Sequence, residues 1–149
     1  MVCTANSSLD PSTDHCIAWY EWYPDYAYDF SGISFSAGDS VKLTVTASST
    51  TSGTAVIENL TTGKTVTQDI TSSSALCEEN AEWIVEDYEE GDSLVPFADF
   101  GTVTFTGASA TTGSGSVGPS GATLIDIEQN NEVLTSASVS GSDVTIKYV

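Results

Sequence analysis

Apolar and polar residues alternate along most of this chain. Ser40 to Ala47 is the clearest run, with Val41, Leu43 and Val45 falling on one face. Gly53 to Asn59 and Thr65 to Ile70 predict two more strands. Thr61-Thr62-Gly63-Lys64 between them predicts a hairpin turn. Further strands are predicted at Ala18–Tyr23, Ala81–Asp87, Gly101–Thr106, Ala122–Glu128, Glu132–Ser138 and Asp143–Val149. Asn130-Asn131 and Ser140-Gly141-Ser142 punctuate the last three. No window sustains a 3.6-residue period. Short strands at regular spacing with turn signals predict an all-β, antiparallel sandwich or barrel.

Two segments depart from this pattern. Ala108 to Gly121 is small, Gly- and Ser-rich, and predicts a long surface loop. Residues 1–15 are polar and patternless.

Composition changes the picture by exclusion. The 149 residues carry 21 Asp plus Glu against three lysines and no arginine, a formal charge of -18 at pH 7. Nucleic-acid binding is excluded, because phosphates need basic residues to neutralise them. The same sign argues against anionic membranes, and no apolar run has membrane-spanning length. With His15 as the lone histidine, a multi-histidine metal site is excluded. No metal or other cofactor is expected. Ser and Thr supply 42 of the 149 residues, which keeps the surface polar without charge.

Asn6-Ser7-Ser8 and Asn59-Leu60-Thr61 match the N-glycosylation pattern and, with the acidic composition, point to a secreted, extracellular protein. Residues Met1 to Asn6 lack the basic and apolar regions of a signal peptide, so a leader is expected to be removed or to lie upstream. Cys3, Cys16 and Cys77 allow three single-bridge pairings, among which the count does not choose.

Two segments concentrate chemistry. In Ala18-Trp19-Tyr20-Glu21-Trp22-Tyr23-Pro24, strand geometry sends Trp19, Glu21 and Tyr23 one way and Tyr20 and Trp22 the other. In Ala81 to Glu90, Glu82, Ile84 and Glu86 share one face and Trp83 and Val85 the opposite one. Eight of the 21 acids lie between Glu78 and Asp92. Most charge runs are simply solvated faces. Here glutamates occupy a strand, where they are depleted, beside aromatic side chains. A low-dielectric aromatic wall raises a carboxyl pKa and suits a carboxyl for acid–base work. Tyr20, Trp22 and Trp83 are expected in the core.

The runs Trp19-Tyr20-Glu21-Trp22-Tyr23-Pro24, Asp29-Phe30-Ser31-Gly32-Ile33, Glu58-Asn59-Leu60-Thr61-Thr62-Gly63 and Asn80 to Glu90 resemble the fungal glutamic peptidases, or eqolisins. Val95-Pro96-Phe97-Ala98-Asp99-Phe100 continues the resemblance, which covers residues 18–149; residues 1–17 do not match. It implies a two-sheet antiparallel β-sandwich, a lectin-like jelly roll, incomplete at its N-terminal edge. It implies a secreted acid endopeptidase, insensitive to pepstatin, acting on proteins or peptides without a metal. Glu86 matches the catalytic glutamate, general base to a water and then acid to the leaving amine. Trp19, Glu21, Tyr23, Asp29, Tyr88, Glu89 and Glu90 match positions lining or supporting the cleft. Cys77 matches a bridged cysteine, with Cys3, or else Cys16, as its partner.

One departure bears on activity. The family pairs its glutamate with an upstream glutamine that holds the water and stabilises the oxyanion. Residues 1–17 contain no glutamine, and neither Gln68 nor Gln129 matches that position. The resemblance therefore predicts a chain weak or inactive alone, with an exposed sheet edge suited to pairing with a glutamine-bearing segment. Two other readings stand beside it: a glycoside hydrolase using Glu21 and Glu86, and a non-catalytic binding module.

Overall fold

A computed structural model describes residues 18–36, 38–87, 89–90, 93–94 and 97–149. Every regular element in them is a β-strand, and every pairing is antiparallel. The chain divides into two compact units, Met1–Glu79 and Asn80–Val149.

The first unit opens with β1 (Trp19–Tyr20) and β2 (Tyr28–Asp29), paired Trp19 to Asp29 and Tyr20 to Tyr28. The strand predicted to run to Tyr23 stops at Tyr20. The Asp25 amide donates to the Trp22 carbonyl at 2.8 Å, closing a turn around Tyr23 and cis Pro24. Proline has no amide to extend a ladder, so the turn takes over.

A three-stranded meander follows: β3 (Val41–Ser49), β4 (Ser52–Asn59) and β5 (Lys64–Thr71), with β4 in the centre. Pairing on both sides gives β4 a strict alternation, with Gly53, Ala55, Ile57 and Asn59 buried. Val41, Leu43 and Val45 oppose Asn59, Ile57 and Ala55, so the predicted common face exists. On the outer strand that face is open, and Val45 is 83% exposed. The β3–β4 register shifts between Ala47 and Ser49. A Cβ on Gly53 would stand 2.5 Å from the Thr46 carbonyl oxygen, so this strand position needs glycine.

Asn59 ends β4 with no exposed surface. Its Nδ2 donates to the Ser34 carbonyl (3.1 Å) and to Asp39 Oδ2 (2.8 Å). Its Oδ1 accepts from the Thr61 and Thr62 amides, both at 3.0 Å. One side chain thus fixes the β4–β5 turn and ties it to the loop before β3. A buried amide with its donors and acceptor occupied leaves no nitrogen for a glycan. The Asn59 acceptor motif is therefore closed in the folded chain, while Asn6 lies outside the described residues.

The second unit contains β6 (Glu89–Glu90), β7 (Ser93–Leu94), β8 (Thr102–Phe105), β9 (Ala110–Thr112), β10 (Gly115–Val117), β11 (Glu128–Gln129), β12 (Glu132–Val133), β13 (Thr135–Ser140) and β14 (Asp143–Tyr148). Its largest sheet runs β13-β14-β8. Alternation along β14 buries Val144 and Ile146, which cluster with Ala108. Trp83, Val85, Phe100, Phe105, Ala137 and Val139 pack around them. Phe97, Phe100 and Tyr148 form a second aromatic group, with centroids about 6 Å apart. Asn130 and Asn131 both take positive φ between β11 and β12. That is the two-residue hairpin turn which Asn tolerates.

Three expectations change here. Residues 81–87 form no ladder among the described residues, although they alternate in burial. The segment Ala108 to Gly121, expected as a loop, contains the β9–β10 hairpin, turned at Gly113-Ser114. The strand expected at Ala122–Glu128 reduces to Glu128–Gln129. Before it, side chains substitute for a ladder. The Ala137 amide donates to Asp126 Oδ1, and the Ile127 amide donates to buried Thr135 Oγ1, both at 2.7 Å.

Candidate active site

The segment 81–87 is held by its inward side chains. Trp83 and Val85 are half-buried against the Ala108, Val144 and Ile146 cluster. Glu82, Ile84 and Glu86 face out, and Ile84 keeps 59% of its surface exposed beside the two carboxylates. Glu86 is thus an accessible carboxylate on a segment anchored from its opposite side, flanked by apolar surface. The two faces are those predicted from periodicity, and packing of Trp83 and Val85 fixes which one is inward.

Asp87 continues the inward series and is half-buried. Its Oδ2 accepts from Gln129 Nε2 at 2.8 Å. Its Oδ1 is buried and has no partner among the described residues. The bond ties the Glu86 segment to the β11–β12 hairpin, 42 residues away. Gln129 is therefore committed to the residue whose side chain points away from Glu86. Gln68, in the first unit, is half-buried on β5 opposite Ala55.

Glu89 and Glu90 form β6 and pair with Leu94 and Ser93. Tyr88 lies outside the described residues. Trp19, Glu21, Tyr23 and Asp29 are in the first unit. There Trp19 and Asp29 are brought opposite each other by β1–β2 pairing. Trp19 is half-buried, Glu21 and Asp29 are exposed, and Tyr23 is 83% exposed at its turn. Tyr20 and Trp22, expected as core, are half-buried and border an open hollow with Asp25, Tyr26, Tyr28 and Asp69. Cys77 is exposed and has no disulfide partner among the described residues, outside which Cys3 and Cys16 lie.

Asp39 has a perturbed carboxyl. Hydrogen bonds from the Ser36 amide, then from Asn59 and Thr61, hold its pKa below the ordinary aspartate value. Periodicity missed both the Asp39–Asn59 and the Asp87–Gln129 contacts, because each joins residues distant in sequence. The Asn-x-Thr-Thr-Gly turn chemistry at Asn59 was the available signal for the first. Among the described residues no group of three or more His, Cys, Asp or Glu is placed for a metal ion, and no helix is long and apolar enough to cross a membrane.

The model of the peptidase A4 family matches residues 4–148. Aspergillopepsin-2 of Aspergillus niger is 64% identical over 134 residues, covering 89% of this chain and 48% of that protein. Scytalidopepsin B of Scytalidium lignicola is 48% identical over 141 residues, covering 89% and 54%. Among solved structures, aspergilloglutamic peptidase from Aspergillus niger superposes with a TM-score of 0.87 at 60% identity, covering 94% of this chain and 84% of that one. Scytalido-glutamic peptidase with a transition state analog inhibitor gives 0.84 at 46% identity, covering 89% and 69%. The chain belongs to the peptidase A4 family, the glutamic peptidases or eqolisins, and has their antiparallel β-sandwich fold. It spans about half the length of the curated relatives it matches.

Proposed function

We propose that this chain is the glutamate-bearing part of a secreted acid endopeptidase acting on proteins or peptides. The observation that supports this most directly is Glu86: an outward carboxylate, on a segment fixed by Trp83 and Val85, in a glutamic peptidase chain. Glu86 takes a proton from a water whose oxygen attacks the scissile carbonyl carbon. The C–O bond forms and the carbonyl oxygen takes the negative charge. The glutamate then returns the proton to the amide nitrogen, the C–N bond breaks, and the amine leaves. The residues matched to the cleft, Trp19, Glu21, Tyr23, Asp29, Tyr88, Glu89 and Glu90, would bind and orient the peptide.

The oxyanion step is the one these residues do not supply. Gln129 is bound to Asp87, and neither it nor Gln68, on β5 opposite Ala55, matches the family's glutamine position. Loss of one oxyanion donor typically costs about 10²–10³ in rate. The chain by itself is therefore expected to hydrolyse peptides at or near background. The test is cleavage of a denatured protein substrate at pH ~3, where ordinary carboxyls are largely protonated, for the chain and for Glu86→Gln. Clear cleavage that Glu86→Gln abolishes overturns the inactivity and keeps the site. Cleavage that survives Glu86→Gln overturns the site.

A further inference from the structure

The hollow bordered by Tyr20, Trp22, Tyr26 and Tyr28 is not a core pocket. It is open to solvent, with a volume of about 240 Å³, and Tyr26 and Tyr28 keep 81% and 51% of their surfaces exposed. Its rings are held in place. Tyr20 stacks on Tyr28 at 5.9 Å and meets Phe30 edge-on at 5.0 Å. The Trp22 indole donates to the Ser74 carbonyl at 2.9 Å. Asp25 and Asp69 add two carboxylates to the same wall, Asp25 accepting from the Tyr26 amide at 2.8 Å and Asp69 rising from β5.

Among the described residues of the first unit, no basic side chain lines the hollow. Lys42 is paired with Glu58 at 2.6 Å. Lys64 begins β5, five residues before Asp69, which at ~3.3 Å per residue places it ~16 Å away. The lining residues include no Lys, Arg or His. The combination of π-faces and carboxylates in a lining without basic residues attracts a cation, through the ring quadrupoles and through charge. The volume is below the ~300 Å³ at which sites for drug-sized ligands begin, and suits one side chain. A second open hollow shares Asp25 and Thr71 and is lined otherwise by Pro24 and Ser72 to Ser74, offering polar partners to a peptide main chain.

We propose that this hollow binds a basic side chain, arginine or lysine, of a polypeptide. The site stands on the first unit alone and does not depend on the hydrolytic reading or on Glu86. Its ligand is a guanidinium or ammonium held over Tyr20, Tyr28 and Trp22, with Asp25 and Asp69 as counter-charges.

The test follows the Trp22 indole N–H resonance, assigned with Trp22→Phe, near neutral pH and low salt. Acetyl-Gly-Arg-Gly-amide is titrated against the same peptide with citrulline, which keeps the shape and removes the charge. The arginine peptide is expected to move the resonance saturably and the citrulline peptide to bind at least tenfold more weakly. Asp25→Asn with Asp69→Asn is expected to weaken the arginine peptide at least tenfold. Glu128→Gln with Glu132→Gln, two exposed acids of the other unit, is expected to leave it unchanged. Equal binding of the two peptides overturns the proposal, even if the Asn variants fail to fold. So does an equal loss in both double variants, which marks diffuse attraction to the negative charge. Cellotetraose moving the resonance while the arginine peptide does not identifies a sugar site and also overturns it.

Discussion

Asn59 shows how one side chain changes meaning between sequence and structure. As a triplet it reads as a glycan acceptor; in the fold it is a buried hub making four hydrogen bonds. Asn59→Ala is expected to cost about 2–4 kcal/mol, since each orphaned buried group costs roughly 1–3. Chemical denaturation measures this. Expression in a glycosylating host is expected to give no glycan at Asn59, as mass spectrometry would show. Asp39 adds a pH dependence whose sign is fixed. Its folded pKa lies below its unfolded value, so its contribution is present above the ordinary aspartate pKa of ~3.9. That contribution is lost as pH falls through the folded value. Asp39→Asn is expected to flatten the acid limb of a melting-temperature-versus-pH profile.

Strands and turns differed in how well periodicity located them. The β3-β4-β5 meander matches its prediction almost residue for residue, because alternation, a Gly turn and ladder pairing agree. Residues 81–87 keep the alternation without a ladder among the described residues: the pattern reports which side is buried, and packing against a core is enough to produce it. The β9–β10 hairpin was hidden by small residues that carry no hydrophobic signal. Gly53 makes the element-level prediction. Gly53→Ala forces a methyl against the Thr46 carbonyl and is expected to cost about 1–3 kcal/mol, the range for overpacking, measured by urea unfolding. Ile57→Ala, at the centre of the same strand, is expected to cost about 2–5 kcal/mol through lost burial and a cavity.

The charge of -18 belongs to the chain as a unit. Among the described residues Lys42–Glu58 is the single ion pair, and exposed pairs of this kind are worth about 0–1 kcal/mol. Repulsion at neutral pH is therefore largely uncompensated. Added salt is expected to raise the melting temperature at pH 7, because ~0.15 M already screens beyond ~8 Å. Near the sequence pI of about 4.1 the same salt is expected to have little effect. Calorimetry at both pH values checks this. An equal rise at both would show that repulsion is not the term being screened.

Local chemistry is legible in the amino-acid sequence itself. Strand alternation, the Asn-Asn and Gly turns, the acid surplus and the two faces around Glu86 follow from periodicity and side-chain type, which are properties of neighbours in the chain. Long-range contacts are not. That Gln129 serves Asp87, that Asn59 closes on Asp39, and that Tyr20 and Trp22 border an open hollow with Asp25 and Asp69 all depend on residues tens of positions apart. Folding sets those distances, and hydrogen bonds and burial decide them only once the strands have paired.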